Sequence, residues 1–498
     1  MYENCNSAIR ILSAILRKQG YGVSEIYFKH WVNNHLAPPT DKEKSLLLET
    51  VQKEKPDIVA FSIRCSAYEG VADELTEFLA ERFEAFYLWG GLHPTLSPER
   101  CITRADALIL GEAEIALPQF MQAFENGDSL DAVSNLWTSE NHGNIRNPVT
   151  TMEHELDKIP FRDYSAKGKY YIIRDKVTEG DPAGKSAFYT VMASRGCPFG
   201  CTYCFNHVFR EFSKEAGRYF RIRSVDNLLS EISLAIKNNP NIKSIRFDDN
   251  IFPFKKAWVD EFCAKYPKEV GIPFEALLQP NVIYDGLLRQ LKGAGLRAVT
   301  TGIQSTEKVN YELYDRRVQN KKLYEFADQA REAGLPVRFQ IVIDNPLSDH
   351  RELEDMYHIL REFRRPYDLY LFSLTNYPNT EMTKRLLQEG KISEDEVEGP
   401  GTKTFAQYRV SLNWPRPRIE TFWIALFILM NKRYVPASLI ELFARSNYLK
   451  KHPKPLVMFA QATNLLKMGM TAMKLVLRGE MTPELIRQWL NFKSVITS

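Results

Sequence analysis

Apolar positions recur at helical spacing over Ile9, Leu12, Ile15 and Leu16, and Gly20 follows as a stop, so a first helix is predicted from Asn6 to Gly20. Val23 to Phe28 reads as a short strand and Lys42 to Glu54 as a second helix. Asp57 to Ile63 is a nearly continuous apolar run after Pro56, the pattern of a strand buried on both faces. A helix over Ala67 to Phe83 leads to a strand at Ala85 to Trp89, which ends in Gly90-Gly91-Leu92-His93-Pro94-Thr95. A further strand, Asp106 to Leu110, ends in Gly111-Glu112-Ala113-Glu114 and opens a helix to about Glu125. Strands alternating with helices predict a doubly wound parallel sheet, whose ligands lie at the carboxyl ends of the strands, where these glycine turns fall.

Leu130 to Gly184 lacks periodicity, contains Pro148, Pro160 and Pro182, and reads as a connector. A second alternating series then begins. Strands are expected at 187–193, 244–247, 274–278, 298–302, 337–343 and 369–374, with helices at 225–238, 284–294, 321–333 and 353–363. Six βα units in so short a stretch make a partial parallel barrel rather than a closed eight-unit one. From Gly399 the pattern turns to aromatic-rich helices without strands. The predicted organisation is therefore α/β: a doubly wound sheet over 1–129, a linker over 130–186, a partial (β/α)6 barrel over 187–398 and a helical segment over 399–498. The longest apolar run, Phe422 to Met430, is about half of what a membrane-spanning helix needs.

The chemistry is concentrated in Ser194-Arg195-Gly196-Cys197-Pro198-Phe199-Gly200-Cys201-Thr202-Tyr203-Cys204-Phe205-Asn206. Cys197, Cys201 and Cys204 follow a C-x3-C-x2-C spacing, close enough to share one metal centre. A 4Fe-4S cluster held by three thiolates keeps one iron free to bind another molecule. Gly196 and Gly200 are expected to let the backbone turn tightly enough to aim the sulfurs inward. The spacing also admits a zinc knuckle with His207 as fourth ligand, disulfides, or three buried structural cysteines. Cys65, Cys101 and Cys263 are isolated and read as core residues.

This loop resembles the cluster loop of the radical SAM enzymes, including the aromatic Tyr203 just before the last cysteine. The resemblance implies that the open iron chelates S-adenosylmethionine and that reductive cleavage yields a 5′-deoxyadenosyl radical. It extends along 189–375. There Asp248, Asp249 and Asn250 stand where the family receives the methionine end of the cofactor, and Gln279 closes the third strand. Gln304 and Ser305 occupy the family's Gly-Ile-Glu-Ser turn, with Gln in place of Glu. Arg317 matches a recurring arginine that could meet the cofactor carboxylate, and Arg338 and Gln340 either point inward or form core pairs. Asp344 stands where the family often has the glycine of a Gly-x-Pro turn.

The first 129 residues resemble the cobalamin-binding domain that precedes the barrel in one large subgroup, with Gly90, Gly91, His93, Gly111 and Glu112 carrying the likeness. The Asp-x-His-x-x-Gly cobalamin motif is absent, and the first strand of the fold is missing from the expected elements. The resemblance implies cobalamin as a further cofactor and methyl transfer to an unactivated carbon. Cyclisation or rearrangement without methylation is the alternative, and a zinc-stabilised binding protein without turnover is the reading of another class.

Composition changes this picture little. Hydrophobic residues at 44% and charged residues at 26% are those of a globular protein, and the net charge of +3 names no partner. No recognition motif for nucleic acid is visible, and the residues after Met1 lack the basic head and apolar core of a signal peptide, so a cytoplasmic setting is expected. Lys432 to Arg478 is the exception: it holds nine basic residues against one acid, Glu441, interleaved with Phe459, Leu465, Leu466, Met470 and Leu475. That segment is either a solvated lid or a peripheral contact with anionic lipid. The expected partners are a small-molecule or lipid-like substrate and an electron donor such as flavodoxin or ferredoxin.

Overall fold

The computed structural model describes residues 6–28, 38–173, 175–181, 183, 186–398, 412 and 415–477. Its fifteen described strands are β1 (Glu25–Phe28), β2 (Ile58–Ser62), β3 (Phe86–Gly90), β4 (Ala107–Ile109), β5 (Leu136–Thr138), β6 (Lys169–Ile173), β7 (Lys176–Glu179), β8 (Phe188–Val191), β9 (Ser194–Arg195), β10 (Arg221–Ile222), β11 (Ser244–Phe247), β12 (Phe274–Leu277), β13 (Leu296–Gln304), β14 (Val337–Ile343) and β15 (Asp368–Ser373).

β2, β3 and β4 run parallel in that order, and β5 closes the sheet antiparallel to β4. The strand expected at Val23 to Phe28 forms, but it does not join this sheet. β1 pairs with β6 instead, and β7 completes a separate three-stranded sheet. β2 is left at an edge, and Ala60 at its centre is exposed, so the expectation that this strand is buried on both faces fails.

The stretch read as a linker therefore supplies three strands. It is also bolted to the first helix, Ser7–Lys18, which is capped by Asn6. Arg10 from that helix is fully buried, donates to the backbone oxygen of Asp163, pairs with Asp181 and lies over the Tyr164 ring. Lys169, also buried, reaches the same Asp181 carboxylate at 3.3 Å.

The second series forms one six-stranded parallel sheet in the order β8-β11-β12-β13-β14-β15. Its strands alternate. Ile245 and Phe247, Phe274 and Ala276, and Phe339, Ile341 and Ile343 are buried in the main core under the helices. Arg246, Glu275, Arg338, Gln340 and Tyr370 take the opposite, partly exposed face. A parallel sheet with both faces covered would read as continuous apolar runs, so the inner face of this half-barrel is polar and partly open to solvent. Helix Lys256–Glu269 was not anticipated; Pro267 in its last turn and a weak apolar stripe conceal it. It packs Trp258, Phe262 and Tyr266 into an aromatic cluster with Phe247, Phe252 and Phe274.

The apolar run Phe422 to Met430 lies within helix Arg418–Met430, nearly all of it buried in the main core. Its Trp423 ring sits 5.4 Å from that of Tyr357 on helix His350–Glu362. No described helix is long and apolar enough to cross a membrane. The boundary expected at 399 lies outside the described residues.

Candidate cofactor site

β8 delivers the chain to β9, a two-residue strand paired with β10, and the cysteine loop leaves from there into helix Phe205–Phe212. Gly196 opens the loop at φ +77°, and a Cβ there would stand 2.4 Å from the Tyr219 carbonyl oxygen. Only glycine fits both conditions. Gly200 has no such backbone; it makes room for the Arg210 guanidinium, 2.8 Å from where its Cβ would be. Gly196→Ala is expected to cost roughly 2–3 kcal/mol, from the left-handed backbone and the push against a main-chain oxygen, and to disorder the loop. Chemical denaturation and iron content measure the two effects; unchanged values for both would contradict this geometry.

The loop is stitched down at several points. Thr202 donates from its amide to the Tyr314 carbonyl and from its hydroxyl to the Leu313 carbonyl, and its own carbonyl accepts from the Met382 amide. The Tyr203 ring meets Tyr314 edge-on at 4.8 Å. Asn206 sends its amide toward the Cys204 sulfur at 3.5 Å, while its oxygen accepts from Tyr219 and Asn250.

Cys197, Cys201 and Cys204 are free thiols that lie near enough to influence one another's ionisation. Burial pushes the Cys197 thiol up to about 11 and raises that of Cys204. Bound metal reverses this, because a coordinating thiol is deprotonated outright. Among the described residues no three His, Cys, Asp or Glu side chains gather at the spacing that one ion takes. A 4Fe-4S cluster takes each of three thiolates at a different iron, whereas a structural zinc needs four ligands on one ion. His207, the fourth ligand of a zinc knuckle, turns Nδ1 toward Arg210 at 3.3 Å.

Arg316 completes this floor. It is buried, donates to the Gly302 carbonyl at 2.8 Å and places Nη1 4.0 Å from the Cys201 sulfur, while its Nε has no partner. A buried guanidinium with an unused donor beside the thiols fits an anionic group. Arg317, the residue singled out from sequence, is exposed and pairs with Asp315. In an irregular turn the two neighbours face opposite ways, and spacing alone gives no phase.

The other expected residues divide. Gln279 is buried at the carboxyl end of β12, and its side-chain oxygen has no partner. Gln304 closes β13 at φ +65° and folds its amide back over Gly302, where a Cβ would be 2.2 Å away. Ser305 is fully buried and donates to Glu352. Arg338 grips Glu275 near the start of β14, at the strand end opposite the cysteine loop, so it forms a pair on the inner face. Asp344 keeps a left-handed φ of +59°, as the glycine of a Gly-x-Pro turn could, and its carboxylate forks onto Arg416.

Asp248 is exposed at the end of β11, whereas Asp249 is buried. The Asp249 carboxylate accepts from the amides of Ala193 and Ser194 and from the Ser194 hydroxyl, so it splints the strand that starts the cysteine loop. Burial pushes its carboxyl up to about 7, against the pull of those donors. The folded state then favours the protonated form. Stability is full below about pH 4, where the unfolded chain is also protonated, and falls as pH rises through about 7, by about 4 kcal/mol at most. Asp249→Asn is expected to flatten that part of the pH profile. Urea titrations at pH 5 and 8 read it, and parallel profiles for both proteins would refute it.

In the first domain Gly91 lies at φ +104°, with its hydrogen facing the Ile63 carbonyl, where a Cβ would be 2.9 Å away. Gly111, at φ +71°, would touch Val149. Thr95 ties the two turns together, donating to the Gly91 carbonyl and accepting from the Gly111 amide. Gly90 ends β3 beside them. The His93 ring is fully buried with Nε2 3.5 Å from Glu69, so it is sealed from the rim. A group held here would lie against backbone and small side chains, which fits a large flat cofactor bound without a histidine ligand from this turn.

Glu112, a residue the resemblance places at a cofactor, accepts from Arg195 at 3.0 Å and from Arg221, while Glu114 takes the other Arg195 nitrogen at 2.6 Å. Arg195 lies in β9 and Arg221 in β10, the strands that frame the cysteine loop. Burial opposes ionisation of Glu112 most strongly, yet Arg195 and Arg221 together hold its carboxyl below the ordinary range. The partners of this clamp lie 83 and 109 residues apart along the chain, so no local pattern marks it. A second tie is close by: Asn379 donates to the Leu96 carbonyl at 2.6 Å.

A glycine-turned rim of one parallel sheet thus stands against a three-cysteine loop at the mouth of a half-barrel. This defines the class segment by segment: a radical SAM barrel with a B12 binding domain ahead of it. The Radical SAM superfamily model matches residues 191–360 and the B12 binding domain model residues 2–121. An uncharacterized methyltransferase of Pyrococcus horikoshii is 25% identical over 348 residues, 68% of this chain and 70% of that protein. Cytidylyl-2-hydroxyethylphosphonate methyltransferase of Streptomyces wedmorensis is 26% identical over 383 residues, 67% of this chain and 68% of that one. In fold the chain resembles TsrM, a radical S-adenosylmethionine methyltransferase of Kitasatospora setae, with a TM-score of 0.62 at 15% identity, over 77% of this chain and 73% of that one.

Proposed function

We propose that this protein methylates an unactivated carbon of a small molecule, using a 4Fe-4S cluster, S-adenosylmethionine and cobalamin. The observation that carries the reading is the Glu112–Arg195/Arg221 clamp, which joins the cobalamin-domain rim to the strands framing the cysteine loop. Relatives named as methyltransferases support it, and a TsrM structure holds both cobalamin and a [4Fe-4S] cluster. When bound, the cluster, S-adenosylmethionine and cobalamin supply the electron, the radical and the transferable methyl group.

The chain's own residues bind and orient. Cys197, Cys201 and Cys204 hold the cluster, and Asn206 and Arg316 donate toward its sulfur ligands. The unpartnered Arg316 Nε meets the cofactor carboxylate, and the unpartnered Gln279 oxygen takes a donor from the same molecule. Asp249 and Gly196 set the loop's path. The polar inner face below meets the substrate, and an external one-electron donor of the flavodoxin or ferredoxin type docks near the loop.

Anaerobic reconstitution tests this. About four irons and one cobalt per chain are expected, with a methylated product and 5′-deoxyadenosine from the right substrate. Iron without cobalt would remove the methyl-transfer reading and favour cyclisation or rearrangement.

A further inference from the structure

Twelve large apolar side chains stand out as exposed among the described residues, and eight of them fall between Tyr434 and Met473. This concentration lies on the C-terminal helices Ala437–Ala444, Asn447–Lys451 and Lys454–Leu477. The last helix has a conventional inner face: Leu456, Ala460 and Thr463 are buried against helix Arg418–Met430. Its outer face should then be polar. Instead Met458, Ala462, Leu465, Leu466, Gly469 and Met473 are exposed at spacings of three and four, one stripe about 22 Å long. Met458 is 69% exposed and Leu466 62%.

The stripe does not end at one helix. Phe459 meets Phe443 of the neighbouring helix, ring to ring at 6.0 Å, and Leu442 beside it is 65% exposed. Tyr448 adds a 66% exposed ring. Cations border this surface. Arg445, Lys451 and Lys454 are exposed, and Lys454 lies one turn before Met458. The acid of the segment, Glu441, is already paired with Arg361.

We infer that this face is a docking surface for an anionic lipid bilayer, on which the protein lies without spanning it. The charge argues for the occupant: a cationic border around an apolar stripe complements acidic headgroups above acyl chains. No described helix can cross a membrane, so contact is peripheral. The inference goes beyond the methyl-transfer reading and does not depend on it.

Co-sedimentation of the full chain tests it, with vesicles of phosphatidylcholine alone and of phosphatidylcholine mixed with phosphatidylglycerol. Binding is expected only to the anionic vesicles, weakening as salt rises. The double variant Leu465→Asp, Leu466→Asp and, separately, Lys451→Glu, Lys454→Glu should each lower it about tenfold or more, with melting temperatures unchanged. Failure of the wild type to pellet with anionic vesicles overturns the proposal, as does binding indifferent to either variant pair. A melting temperature lowered by several degrees in the Leu465/Leu466 variant would show the face covered by this chain itself. A dimer dissolved by that variant, without lipid binding, would make it an interface between two copies. Both outcomes also overturn the proposal.

Discussion

Cys201→Ala should yield a folded protein that holds almost no iron–sulfur cluster. Cys201 is buried and small, so trimming it costs the fold only about 1 kcal/mol. The effect on the cofactor is far larger. Two thiolates cannot hold a cubane that needs three, so iron after reconstitution should fall from about four per chain to below one. The brown absorption and the cleavage of S-adenosylmethionine should vanish with it. Cys65→Ala serves as the control and should keep both. Full iron and turnover in the Cys201 variant would mean that this loop is not the cluster site.

Glu112→Gln is expected to have the second largest effect, and through a different route. Removing the charge leaves Arg221 buried without its ion-pair partner, while Arg195 keeps Glu114. Breaking a buried pair costs about 3–5 kcal/mol, and the lower end applies because Glu112 is 20% exposed. Its carboxyl is held below the ordinary range, so the stability it contributes is present above about pH 4.3 and is lost as pH falls through its lower folded value. The variant should therefore lose part of the wild type's acid sensitivity as well as stability. Because the clamp positions the cysteine loop, the cluster's electron paramagnetic resonance spectrum should also shift, and Glu112→Asp should restore part of it. A variant with normal stability and an unaltered spectrum would show that the two domains are aligned by other contacts.

Local signals were legible in the sequence wherever chemistry and chain neighbours coincide. The C-x3-C-x2-C spacing marked the cysteine loop because all three thiols come from one turn. The alternation of apolar runs and helical stripes marked the six barrel strands, since each strand's apolar face is set by its own residues. What escaped depends on distant partners. β5, β6 and β7 are short and carry little period of their own; they exist because β4, β1 and β6 offer edges for pairing. Ala60 looked buried from its neighbours, but its exposure depends on which element covers that face of β2. The choice between Arg316 and Arg317 rests on the twist of an irregular turn. Glu112 read as a ligand because it follows a glycine at a strand end, the place where ligands often bind, and nothing near it in sequence reveals the arginines it holds.

The buried contact between Arg10 and Asp181 bears on how such chains can be cut and recombined. A fragment ending at residue 129 would strip Arg10 of Asp181, the Asp163 carbonyl and the Tyr164 ring that bury it, and leave β1 without β6. A fragment beginning at 187 would discard Glu112 and Glu114 and strand Arg195 and Arg221. Neither half is a self-sufficient module. Any exchange of this cobalamin domain between relatives must carry residues 163–181 along with it, so the two halves should be inherited as one piece.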